Sequence, residues 1–186
     1  GFDIKNNGLL SSLPFLVKTF VTIVFSCAAD FVISKDFVSA LTSQKIWNTI
    51  ALWGGATALM GLPFVHSNAG AVFLLATALI CGAGIYPGYI SNHLDLAPNF
   101  AGLLLGITYG LGNISSILAP LVAGVIVTDE TSKEQWMTVF YICAATSFFG
   151  NLLFLIFGTT EVQSWNNTLE EIEKSVDEES LSTEDN

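Results

Sequence analysis

The chain contains no arginine, and its six lysines stand singly along the sequence. With no basic patch to meet a phosphate backbone, nucleic acid is excluded as a partner. Charge of either sign is scarce. Charged residues make up 12% of the 186 positions, against about a quarter in soluble domains. What charge there is gathers at one end: residues 161–186 hold nine of the sixteen acids and one lysine. The formal net charge of −10 therefore describes a tail attached to a nearly neutral body. Cysteine is sparse too. Cys27, Cys81 and Cys143 lie in separate apolar runs without CxxC or Cys/His spacing, and read as buried small hydrophobes. No grouping of His, Cys, Asp or Glu has metal-ligand spacing, and no nucleophile stands beside a base, so neither an enzyme nor a cofactor is expected. The opening Gly1-Phe2-Asp3 has no methionine and no basic run ahead of an apolar stretch. A signal peptide is not expected, and the chain is expected to begin partway through a longer protein.

What remains is apolar. Hydrophobic residues are 52% of the chain and the mean hydropathy is +0.61. Five runs, 9–33, 46–65, 69–90, 100–127 and 136–157, each approach the roughly twenty apolar residues that cross a bilayer. The expectation is an all-α membrane bundle over 9–159, with a polar lead-in at 1–8 ending in Asn6-Asn7-Gly8. An acidic, mostly disordered tail is expected over 160–186, where Leu169, Ile172 and Val176 offer only a weak amphipathic turn. Trp136 stands where an interfacial aromatic anchor belongs. Lys35, Lys45 and Lys174 on one side against Lys5 and Lys133 on the other leave the orientation open.

Glycine and proline concentrate in 82–120. Gly102, Gly106 and Gly110 fall four apart on one helix face, a pattern that lets a neighbouring backbone approach closely. Between the third and fourth runs lies a polar elbow, 91–99, carrying Asn92, His93 and Asp95. His93 and Asp95 are two apart and do not share a helix face, so a ligand pair is rejected. Asp95 and Asn99 are expected to turn or cap the backbone around Pro98.

Other polar side chains stand out against the apolar runs. Lys18 lies about 14 Å into its helix, where an ammonium costs roughly 2.5–3.5 kcal/mol on insertion scales. Either it faces an anion pathway or it snorkels to the interface. Asp30 reads as a gate charge or as a boundary carboxylate. Tyr86, Tyr89, Tyr109 and Asn113 are candidates to line a polar path. Asn166-Asn167-Thr168 fits the glycosylation pattern and is usable only if the tail is lumenal or extracellular.

The elbow Asn92-His93-Leu94-Asp95-Leu96-Ala97-Pro98 resembles the N-H-L-D-[IL]-A-P motif of the anion/cation symporter family. That family, within the major facilitator superfamily, includes sialin, vesicular glutamate transporters and sodium-dependent inorganic phosphate cotransporters. Three stretches agree in order: Gly8-Leu9-Leu10-Ser11-Ser12-Leu13-Pro14, Ala29-Asp30, and Glu161-Val162-Gln163-Ser164-Trp165-Asn166. The last is similar to the form in insect phosphate-cotransporter-like members.

The resemblance implies that the five spans are helices eight to twelve of a twelve-helix transporter. It also implies alternating access, transport of inorganic phosphate or a small organic anion, and sodium or proton as coupling ion. The tail and elbow would be cytoplasmic, in a plasma or a lysosomal or vesicular membrane. The bilayer and the missing N-terminal half would be partners, and Asp30 would match the superfamily's loop-motif Asp. Asn99 stands where glutamate-transporter-like members carry Arg, Tyr109 where Asn is usual, and Lys18 where an uncharged residue is expected. The family's main substrate-binding arginines would lie outside this chain. A truncated, non-transporting scaffold is the alternative, and a membrane-embedded enzyme a distant third.

Overall fold

The computed structural model describes residues 4–167, with side chains from Ser12 onward except that of Asn68. Leu169, Ile172 and Val176, with their expected amphipathic turn, lie outside the described residues.

Helix α1 runs Ile4–Ser34. It continues through Asn6-Asn7-Gly8, where a turn was expected. Each of these residues weakens a helix by about 1 kcal/mol or less relative to alanine, which an established helix tolerates. The helix stops at Asp36, whose backbone is left-handed at φ 55°. There Phe37 N–H bonds to Val32 O (3.2 Å) and Asp36 N–H to Ile33 O (2.9 Å), a Schellman closure with aspartate in the usual glycine position. Ser39 then starts α2, Ala40–Thr49, by accepting the Thr42 N–H. This cap begins the second helix well ahead of position 46. A π-turn at Ile50–Gly54 leads into α3, Gly55–Gly61.

After Ser67 caps α4, Asn68–Cys81, the helix loses regularity. A 3₁₀ turn, Gly82–Ile85, and a π segment, Tyr86–Ile90, containing Pro87 and a non-helical Gly88 lead into α5, Ser91–Leu96. Helix α6 spans Ala101–Ile126 and α7 spans Lys133–Phe157. In the loop between them Thr131 donates to Asp129 from both its backbone N–H and its hydroxyl, which holds that carboxyl below its ordinary value.

Among the described residues, four helical stretches are long and apolar enough to cross a membrane: Ser12–Ser34, Ala69–Leu96, Pro98–Ile126 and Lys133–Phe157. The expected span at 46–65 is not among them. Polar residues on this stretch and just before it face inward: Ser43, Gln44 and Asn48 are buried, followed by Ala51, Gly55, Ala56 and Ala58 on the same helical stretch. This second stretch packs against α1, against the irregular 82–90 segment and against α7, so it forms the bundle's centre.

The interior inverts the soluble pattern. Apart from Pro87 and glycines, every buried apolar residue among the described ones is an alanine, while Phe15, Phe20, Leu103, Val125 and Phe157 point outward. A water-soluble core is built of Leu, Ile, Val and Phe; small residues inside and large ones outside suit a bundle held in lipid. Cys27 and Cys143 also lie on the exposed surface, not buried as expected.

Close helix approach is not made at Gly102, Gly106 or Gly110, because nothing lies within 4 Å of a Cβ added at any of them. It occurs at Gly84, where a Cβ would meet Trp47 O at 2.6 Å, and at Gly88, where it would meet Asn48 N at 3.1 Å. Gly84→Ala should therefore push the central helix away and cost about 1–3 kcal/mol, as overpacking does. Thermal unfolding in detergent reads this, and a melting temperature equal to that of wild type would show that the contact is slack.

Candidate functional site: the broken helix and the polar elbow

Two sets of polar groups surround the irregular 82–90 segment. The first lies on its outer side. The Lys18 ammonium is half-buried and sits 3.8 Å from where a Cβ on Gly82 would stand. It therefore faces the break in the neighbouring helix. Tyr86 follows Gly82 by four residues. Tyr86 and Tyr89 both stand on the irregular segment, and the Tyr89 ring lies 6.1 Å from that of His93, which meets Thr108, the neighbour of Tyr109 on α6. Asn113 is exposed one helical turn beyond Tyr109 on α6. Asp30 is exposed near the other end of α1, away from this group. Pro87 has no N–H and Gly88 is non-helical, so the backbone here departs from the regular hydrogen-bond ladder beside a positive charge. That combination suits an anion.

The second set is the elbow, and it corrects the expectation of local capping. Asp95 accepts the Gln44 Nε2 amide from α2. Asn92 is buried and donates to Gln44 Oε1 (3.0 Å) and to Thr159 O (2.6 Å). Asn99 reaches Asn166: its N–H bonds to Asn166 Oδ1 and its amide to Asn166 O, both at 3.0 Å. Gln163 N–H adds a bond to Leu96 O (2.9 Å), and Trp165 packs its ring 6.3 Å from Phe100. Asn166, the glycosylation candidate, is thus buried and committed to the elbow. His93 Nδ1 lies 2.9 Å from Tyr89 O and 3.2 Å from Ile90 O. Carbonyls only accept, so Nδ1 carries the proton, while Nε2 meets the Thr108 hydroxyl at 2.9 Å.

The elbow therefore ties the starts of α2 and α6 and the chain after α7 into one polar clamp. Gln44 and Thr159 were not among the sequence candidates, and Asn166 was one only as a glycosylation acceptor and as the end of a family-like stretch. Gln44 carried a readable signal: a polar residue four before Asn48, on one helix face. Nothing in the local sequence pairs Thr159 or Asn166 with the elbow.

Replacing Gln44 by leucine strips both Asn92 and Asp95 of a partner. A stability loss of about 1–3 kcal/mol follows from one unsatisfied buried polar group. Faster proteolysis after residue 157 should accompany it. Unchanged stability and cleavage would mean that the clamp does not hold the tail.

Residues 1–183 match the family model of the Major Facilitator Superfamily. The chain is 36% identical, over 98% of its length, to a Drosophila ananassae protein named for inorganic phosphate cotransport. It is 34% identical over 88% to sodium-dependent phosphate transport protein 3 of Mus musculus, and 38% identical over 88% to sialin of Homo sapiens. It spans only 38%, 34% and 33% of those proteins' own lengths. With outward-facing apolar helices, an alanine-lined interior and a match over nearly its whole length, the chain belongs to the major facilitator superfamily of multi-pass membrane proteins.

Proposed function

We propose that this chain forms part of a secondary active transporter, the C-terminal portion, which moves inorganic phosphate or a small organic anion by alternating access. Sodium or proton movement drives it. The observation that carries this reading is the Lys18 ammonium, within the apolar span Ser12–Ser34, set against the broken helix at Gly82. An intramembrane charge is retained where it serves a pathway. Relatives named for phosphate transport point to the same ligand chemistry, an oxyanion. Catalysis is not part of the proposal. The tail lies in the cytoplasm, and the membrane is plasma, lysosomal or vesicular.

Helix α6 completes the reading. Its Gly102, Gly106 and Gly110 face open space, so their partner in the proposal is the N-terminal half of the transporter. A transporter half that rocks needs such a smooth, close-packing face. Asp30 serves as a loop charge at the cytoplasmic boundary.

Uptake of labelled phosphate, sialate and glutamate by the full-length protein in vesicles, under imposed sodium or proton gradients, tests the proposal. Transport of none of the three under either gradient would sink it. A charge-assisted hydrogen bond is worth about 1.5–3 kcal/mol, so Lys18→Met should raise the apparent KM roughly tenfold or more at unchanged surface expression. An unaltered KM would remove Lys18 from the path. Gly106→Leu should abolish transport with the chain still folded, whereas wild-type uptake would leave the glycine face without a partner.

A further inference from the structure

On the inner side of the broken helix lies a polar relay that the anion site does not use. It starts at a fixed acceptor. The Thr49 hydroxyl donates to Lys45 O at 2.7 Å, so its proton is spent and its oxygen can only accept. Asn151 Nδ2, on α7, donates to that oxygen at 3.1 Å. This orients the Asn151 amide, leaving Oδ1 toward α2, where it takes Asn48 Nδ2 at 3.0 Å. Each step fixes the next, and the last fixes Asn48: its Oδ1 must point away as a free acceptor. Asn48 is 1% exposed and Asn151 0%. Among the described residues nothing donates to Asn48 Oδ1.

A buried amide oxygen without a donor costs about 1–3 kcal/mol, so the site calls for a donor or a cation. Irregular backbone lies beside it. The π-turn Ile50–Gly54 begins directly after Thr49, and the non-helical Gly88 lies against the Asn48 backbone and Cβ. π-turns are frequent at functional sites. Unwound backbone offers carbonyls that can ligate a small hard cation. The contacts at Gly84 and Gly88 leave no room for an added side chain beside Asn48.

We propose that Asn48 Oδ1 is a ligand of a small monovalent cation of sodium size, held between α2, the 82–90 segment and α7. The proposal deepens the transport reading by giving the coupling ion a place.

The experiment is thermal unfolding of purified full-length protein titrated with sodium, lithium, potassium or choline chloride at constant ionic strength. Sodium should raise the melting temperature saturably, with potassium and choline inert. Asn48→Ala should abolish that shift or weaken its half-saturation at least tenfold. Asn48→Asp, which keeps the shape and adds a negative charge, should tighten half-saturation severalfold, and it serves should the alanine variant fail to fold. A wild-type melting temperature indifferent to all four salts would overturn the site, with water then satisfying the oxygen. A sodium effect unchanged in both variants would overturn it too. Neither result bears on anion uptake, whose failure would sink the transport reading by itself.

Discussion

The bundle depends on the contact of Gly84 and Gly88 with the backbone of Trp47 and Asn48. A Cβ at Gly84 would stand 2.6 Å from Trp47 O, so the two helices meet there backbone to backbone. In lipid no hydrophobic force drives helices together; association rests on close packing and interhelical hydrogen bonds. The alanines that line the interior follow from the same requirement, since a larger side chain would hold the helices apart. Phe25 and Trp47, with rings 4.7 Å apart, and Trp53 stacked on Phe148 at 5.1 Å supply bulk around this seam.

Once the helices stand that close, polar side chains buried between them must be satisfied by one another, because neither water nor lipid can do it. The elbow solves this at the bundle's end with Asn92, Gln44 and Asp95, and adds Asn99 with Asn166. These bonds join segments far apart in sequence, and they give directional hold where van der Waals packing gives none. The same motif residues that mark the family by sequence are therefore those that fasten α2, α5, α6 and the chain after α7 together.

Helices could be read from the apolar runs because each run is long and lightly charged. The central stretch was legible as a helix from position 46 but not as the centre: Gln44 was read into the connection before it, and only packing shows that Gln44 and Asn48 face inward. Ser39 was a readable cap that moved the start of α2 to Ala40. The glycines at 102, 106 and 110 share a face by periodicity, but periodicity does not say whether a helix stands opposite, and here none does. Lys18 was conspicuous as an intramembrane charge, whereas its neighbour Gly82 lies on another helix and leaves no trace in local sequence. Asn151 looked like one polar residue in an apolar run, and its role appears only through Thr49 and Asn48.

The two proposed sites share one segment. Lys18 abuts Gly82 at its start, and Asn48 abuts Gly88 near its end, with the 3₁₀ turn, Pro87 and the π segment between them. A regular helix there would transmit little, since its hydrogen bonds resist local change. Irregular stretches of this kind, 3₁₀ and π turns within a helix, are frequent at hinges and functional sites. Under the two proposals, an anion at Lys18 and a cation near Asn48 would each act on the same few residues. Binding at one site would then alter affinity at the other by a shared factor, reciprocally. The proposed symport needs such coupling, and the proposals assign it to the break between Gly82 and Ile90.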